Sequence, residues 1–175
     1  MRLETALQAL LVFGLLPAWL AAGFADWLCH RKAHIERTSG PGESRLHFLL
    51  QLEMAVPVIA ALFFEINTSL LAFMTVAVLA HTATSLWDTY VAQPRRHISP
   101  VEQHVHSWLD MLPVFALVLV YTLNFPEDPP DWTLRPRATP LPAVGVFATL
   151  ALFAVAFAFI GEEWLRGIRA SRLRD

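Results

Sequence analysis

Charge is what this chain has least of. Only 16% of its 175 residues are Asp, Glu, Lys or Arg, against about 25% in an ordinary soluble domain. Hydrophobic residues make up 55%, and the mean hydropathy is +0.47. That balance argues against a soluble globular domain. Cysteine is nearly absent too: Cys29 stands alone, which excludes an intrachain disulfide and leaves a packed, inert thiol as the simplest reading. There is no internal repeat and no low-complexity segment.

What is present is a series of five long apolar runs, each able to cross a bilayer as a helix. We expect an all-α integral membrane bundle, a single domain over residues 1–175. Its spans are expected at approximately 3–34, 43–66, 70–91, 101–124 and 141–160. The N-terminus looks superficially like a signal peptide, with small residues at Ala21-Ala22-Gly23. The apolar run continues through Trp27-Leu28-Cys29, however, so it reads as a retained first span, helical past His34. Thr38-Ser39-Gly40-Pro41-Gly42 is a turn, and Ser39 or Ser44 is the expected cap of the next helix. Asn67-Thr68-Ser69 forces spans 2 and 3 into an antiparallel pair, and Ser99-Pro100 opens span 4. A proline-rich loop from Pro126 to Pro142 carries Glu127, Asp128 and Asp131, and a basic tail closes the chain.

The basic residues are unevenly placed. Arg31, Lys32, Arg37 and Arg45 lie between spans 1 and 2, Arg95 and Arg96 between spans 3 and 4, and Arg166, Arg169, Arg172 and Arg174 in the tail. Arg2, Arg135 and Arg137 fall on the other side. The positive-inside rule then puts the N-terminus outside and the tail in the cytoplasm, a pattern that suits a bacterial inner membrane.

The remaining polar residues recur at helical spacing. Asp26, His30 and His34 stand four apart at the inner end of span 1, and Glu43 and His47 open span 2. His81 and Asp88 are seven apart in the inner half of span 3, while Glu102, His106 and Asp110 open span 4. Residues at i, i+4 and i+8 drift by only about 40° per step, so each set is one stripe on one helix face. All four stripes fall at the same end of the bundle. Ionisable groups inside a membrane are costly and mark function or mutual pairing. Imidazole with carboxylate is the ligand set of iron, zinc and manganese. Five histidines and four or five carboxylates are too many for one tetrahedral zinc and suit two metals. The expected metal residues are Asp26, His30, His34, Glu43, His47, His81, Asp88, Glu102 and His106, with Glu102 and Asp110 as catalytic carboxylates.

Plainer roles compete. Asp26, Glu43, Glu102 and Asp110 are also placed to pair with Arg31, Arg45 and their neighbours, and Glu43 and Glu102 suit helix N-termini. His104 points about 200° from Glu102, and His97 sits in a turn at the surface. Glu53 lies deep in span 2, off the Glu43/His47 face, as a buried partner or proton relay. Glu162 and Glu163 are expected to offset the tail arginines. Trp27, Trp87, Trp108 and Trp164 occupy aromatic-belt positions.

The segments DWLCHRKAH, ESRLH, HTATSLWD and EQHVHSWLD, spread over residues 26–110, resemble at the level of class the histidine-rich integral-membrane di-iron oxygenases of the fatty acid hydroxylase and desaturase type. The paired HxxHH boxes of that class are absent. The resemblance implies two iron ions that activate O₂ and attack a C–H bond of a lipid or other hydrophobic substrate. The acyl chain would enter between spans, and a cytoplasmic reductase would supply electrons. His30, His34, His47, His81 and His106 would be ligands, with Asp26, Glu43, Asp88 and Glu102 as ligands or bridges. No nucleic-acid partner is expected.

Two other chemistries fit the same residues. A zinc-dependent membrane hydrolase would act on a lipid ester, amide or phosphoester, with Glu102 as general base and Ser44, Ser85 or Ser107 orienting substrate. A haem b electron carrier would use His81 with His30 or His47 as axial ligands, although so many carboxylates suit haem poorly. The polar stripes stop halfway across, which disfavours a metal or proton carrier.

Overall fold

The computed structural model describes residues 2–125 and 129–173. Glu127, Asp128 and Arg174 lie outside the described residues. The chain is helical, and five helical segments are long and apolar enough to cross a membrane. The first is composite: α1 (Leu3–Ala9), a π-helical stretch (Leu10–Leu15) and α2 (Leu16–Ala33). Pro17 has no N–H to give the preceding turn, and the widened π-helical turns lie directly ahead of it. Then follow α3 (Pro41–Phe63), α4 (Thr68–Ala92), α5 (Pro100–Leu123) and α6 (Ala143–Arg172).

Packing is tightest between α3 and α4, between α3 and α6, and between α2 and α5. Trp19, Met54, Ala55, Ala77, Leu112 and Phe153 form the apolar core. Large apolar side chains such as Phe13, Val144 and Phe147 are more than 70% exposed around the outside. A surface of that kind is stable in lipid and costly in water.

Local chemistry sets the helix ends. α2 stops one residue short of the expected end, because His34 adopts the left-handed conformation (φ 51°, ψ 48°) and turns the chain. α3 is not capped by Ser39 or Ser44; Gly40, at φ 67°, precedes it and Pro41 occupies its first turn. Asn67 and Ser99 cap α4 and α5 through side-chain oxygens that accept from Leu70 N–H and Glu102 N–H.

The largest departure is α6. Expected to end near Ile160, it continues to Arg172. Hydropathy falls at Glu162, but nothing there breaks a helix, and the extension packs back on the bundle. Gly167 permits this: a Cβ there would stand 3.3 Å from the backbone of Pro41. The close approach carries Glu163, one turn earlier, into the interior, where it is 2% exposed.

Candidate metal centre

Two imidazoles define the site. His30 on α2 and His47 on α3 stack with ring centroids 4.4 Å apart and an interplanar angle of 8°. Both are buried. The Glu163 carboxylate meets Nδ1 of each ring, at 2.9 Å for His30 and 2.7 Å for His47. A carboxylate accepts from both nitrogens only if each Nδ1 carries the proton, so both Nε2 atoms face away from α6 toward the other acids.

His30 Nε2 stands 3.4 Å from Asp26 Oδ1 and 3.4 Å from Glu102 Oε1, and His106 Nε2 is 2.9 Å from the same Asp26 oxygen. His47 Nε2 stands 3.3 Å from Asp88 Oδ2 and 3.9 Å from Glu43 Oε1. Three overlapping groups with metal-compatible spacing result: Asp26, His30, Glu102 and His106; His30, His47 and Glu163; and Glu43, His47 and Asp88.

Some atoms in this cluster are left without a partner, as metal ligands would be, while others pair with one another. His30 Nε2 and Asp88 Oδ1 are buried without a hydrogen bond, whereas Asp26 Oδ1 and Glu102 Oε1 are buried against His106 Nε2 and Arg96 Nη2. Donor atoms about 2 Å from a tetrahedral ion stand about 3.3 Å from each other, which is the spacing around His30 Nε2. Charge points the same way. Asp26, Glu43, Asp88, Glu102 and Glu163 crowd one side chain of opposite sign, Arg96. Five carboxylates against one guanidinium leave an excess of negative charge, which protons on His30, His47 and His106 or bound cations would offset.

In the sequence Arg96 is only one of the basic residues between spans 3 and 4. Its side chain is instead 3% exposed and bridges two helices. Nη2 lies 2.5 Å from both Glu43 Oε1 and Glu102 Oε1, and Nε donates to Glu43 at 3.1 and 3.2 Å. Burial opposes its charge, but the hydrogen bonds and charge of Glu43 and Glu102 outweigh burial and raise its pKa above the ordinary arginine value.

A cavity of about 80 Å³ adjoins the cluster, large enough for a few waters. Asp26, His30, His47, Asp88, His106 and Glu163 reach it, as do His81, Asp110 and Ser85. Gln51, Trp19 and Trp27 close its sides.

Seven of the nine expected metal residues therefore meet: Asp26, His30, Glu43, His47, Asp88, Glu102 and His106. His34 does not. Its side chain is 62% exposed, 3.2 Å from Glu36, and the residue serves to end α2. His81 lines the cavity but stands outside all three groups; both its ring nitrogens lack a hydrogen bond, and the nearest carboxylate, Glu53, is 3.9 Å away. Asp110 also lines the cavity without joining a group. His97 and His104 are exposed.

Glu163 and Arg96 are the residues that sequence reasoning missed. Adjacent residues on a helix point 100° apart, so Glu162 and Glu163 cannot both serve the tail. Glu162 does: it lies 3.5 Å from Arg166 and 3.4 Å from Arg31, and accepts from Trp27 Nε1 at 3.1 Å. Glu163 takes the inner face.

Comparison with protein-family models, with curated proteins and with solved structures returns no match. The fold and the site together define a class: a bundle of five membrane-length helices enclosing a buried histidine and carboxylate cluster compatible with metal binding.

Proposed function

We propose that this chain is a membrane-embedded dinuclear metalloenzyme of the di-iron kind, acting on a lipid or other hydrophobic substrate. The observation that carries the reading is the pair of stacked imidazoles, fixed at Nδ1 by one carboxylate and presenting Nε2 to two separate sets of acids. Histidine ligands commonly give their second N–H to a carboxylate, which sets tautomer and ring direction. Here Glu163 does this for two rings at once.

His30, His106, Asp26 and Glu102 would hold one ion, and His47, Asp88 and Glu43 the other. When bound, a pair of irons would supply O₂ activation for attack on a C–H bond, with electrons from a cytoplasmic reductase. The protein's own residues do the rest. Glu163 keeps the protons on Nδ1. Arg96 offsets the charge of Glu43 and Glu102 and holds them on one side. Trp19, Leu109 and Ile160 limit water. His81 and Asp110 face the same cavity without a metal-spaced partner and are free to move protons. The clustered basic residues favour a cytoplasmic site in a bacterial inner membrane.

Zinc-dependent hydrolysis is the second reading, favoured by that same unengaged pair: an imidazole and a carboxylate beside a small polar cavity could serve a metal-activated water. Haem is disfavoured by size, since small-molecule sites occupy about 300–1,000 Å³ and this cavity is 80 Å³. Elemental analysis with an oxygen-dependence assay separates the readings. Iron and O₂ consumption with a lipid substrate support the first; zinc and indifference to oxygen support the second.

A further inference from the structure

The cavity beside the cluster is not the largest space in the bundle. A second cavity of about 310 Å³ lies in the other half, between α2, α3, α4 and α5 and beneath the connection to α6. Its walls are apolar, with Met54, Val58, Met74, Val78 and Leu117 among them. Leu112 and Val120 of α5 both line it, a rise of roughly 12 Å along the helix, so it is elongated. Pro57 of α3 and Pro113 of α5 face it too, and each removes a backbone hydrogen bond that would otherwise keep its helix straight.

Two residues differ from the rest. Arg137 stands at the end away from the cluster. Its Nε donates to Ala61 O at 3.0 Å, and among the described residues no carboxylate lies within ion-pair distance of it. The segment that carries it is tied to the end of α3 by backbone hydrogen bonds: Arg137 N–H donates to Phe63 O at 2.8 Å, and Glu65 N–H to Arg135 O at 2.9 Å. A half-buried guanidinium with no counter-ion among the described residues, at the mouth of an apolar channel, is complementary to an anion. At the other end stands Trp19, 9% exposed, its indole N–H without a hydrogen-bond partner. Trp19 also lines the cavity at the metal cluster and a third, apolar chamber of about 280 Å³ between α2 and α6. It is the one residue common to all three spaces.

We propose that the elongated cavity binds a single-chain amphiphile with an anionic head group, the head on Arg137 and the far end of the chain at Trp19. The end of the molecule nearest the metal cluster, against Trp19, is then hydrocarbon, and the head stays at the opposite end of the bundle. The binding geometry holds whichever metal the cluster takes; its meaning for catalysis rests on the metalloenzyme reading above. On that reading it selects a chain carbon as the reacting atom, because an ester or phosphoester at the head would never approach the cluster.

The test is photolabelling of the full chain in nanodiscs with medium-chain probes bearing a diazirine on the terminal carbon: a fatty acid, an alkyl phosphate and the neutral alcohol of equal length. The expected result is labelling around Trp19 by one or both anions, with the stronger one naming the head. The alcohol should label about tenfold less, the worth of one charge-assisted contact. Arg137→Glu should abolish the preference for anions and Arg137→Lys keep it, while Ala116→Trp, which fills the cavity, should block labelling at Trp19 without changing metal content. Equal labelling by the alcohol, or labels confined to outward-facing residues such as Val144 and Phe147, would overturn the proposal. Labelling at Trp19 that persists in protein shown to bind no metal would leave this site standing and remove only the metalloenzyme reading.

Discussion

Glu163 holds His30 and His47 as a pair: one carboxylate, two Nδ1 atoms at 2.9 and 2.7 Å, and two rings stacked at 4.4 Å. Everything proposed for this site depends on those rings being aimed together. Glu163→Gln keeps the shape and one acceptor oxygen but loses the charge; Glu163→Ala loses the support. Outer partners of ligating histidines are commonly worth about 10–100-fold in metal affinity, so Ala should fall by that factor and Gln by less. Glu162→Gln, which alters only the neighbouring surface contacts, should bind as the parent does. Metal titration of the detergent-purified variants reads the difference, and equal affinities for all three would remove Glu163 from the site.

Gly167 is where α6 touches the start of α3. A side chain there meets Pro41 backbone at 3.3 Å, and backbone cannot rotate aside. Gly167→Leu should cost about 1–3 kcal/mol by overpacking and should also lower metal content, because it levers Glu163 away from the two rings. Gly161→Ala meets nothing within 4 Å and should be neutral or slightly stabilising. Thermal melting in detergent, with metal analysis of the same samples, distinguishes local strain from loss of the site.

Arg96 is the one arginine or lysine inside the cluster among the described residues. Removing one partner of a buried ion pair costs about 3–5 kcal/mol, because the remaining charges are left without compensation. Arg96→Ala should therefore melt well below the parent when metal-free, and added divalent metal should restore more stability to the variant than to the parent. Arg95→Ala, at an exposed position, should be silent. A melting point for Arg96→Ala equal to that of the parent would contradict its buried pairing.

His34 shares the spacing of His30 but not its role. His34→Gly should retain full metal content and be at least as stable as His34→Ala, since glycine adopts the left-handed conformation without strain. His30→Ala and His47→Ala should each lose metal. If His34→Ala lost metal to the same degree, the assignment of His34 as a helix terminator would fail.

Much of this was legible in the sequence because helices long and apolar enough to cross a membrane obey few rules and obey them strictly. Backbone groups in lipid must be satisfied within the helix, so hydropathy alone locates the five segments. The stripe at Glu102 and His106, and that at Asp26 and His30, follow from the helical repeat without further information. What was not legible came from two places. A single helical period cannot say whether the last member of a stripe still lies inside the helix, and His34 falls one residue past its end. Nor can local pattern separate a charge that orients the chain in a membrane from one folded back into it. Arg96 and Glu163 both sit among basic residues or beside another acid, and only the packing of α6 on α3 and of the connection between α4 and α5 turns them inward.

The most direct test of the account is metal content per chain. Protein purified gently and without chelators should contain about two metal ions, iron on the primary reading, and the double variant His30→Ala/His47→Ala should contain none while still inserting in the membrane. Metal-free parent protein that takes up no iron, zinc or manganese on titration would contradict the account and leave the cluster as a network of buried ion pairs.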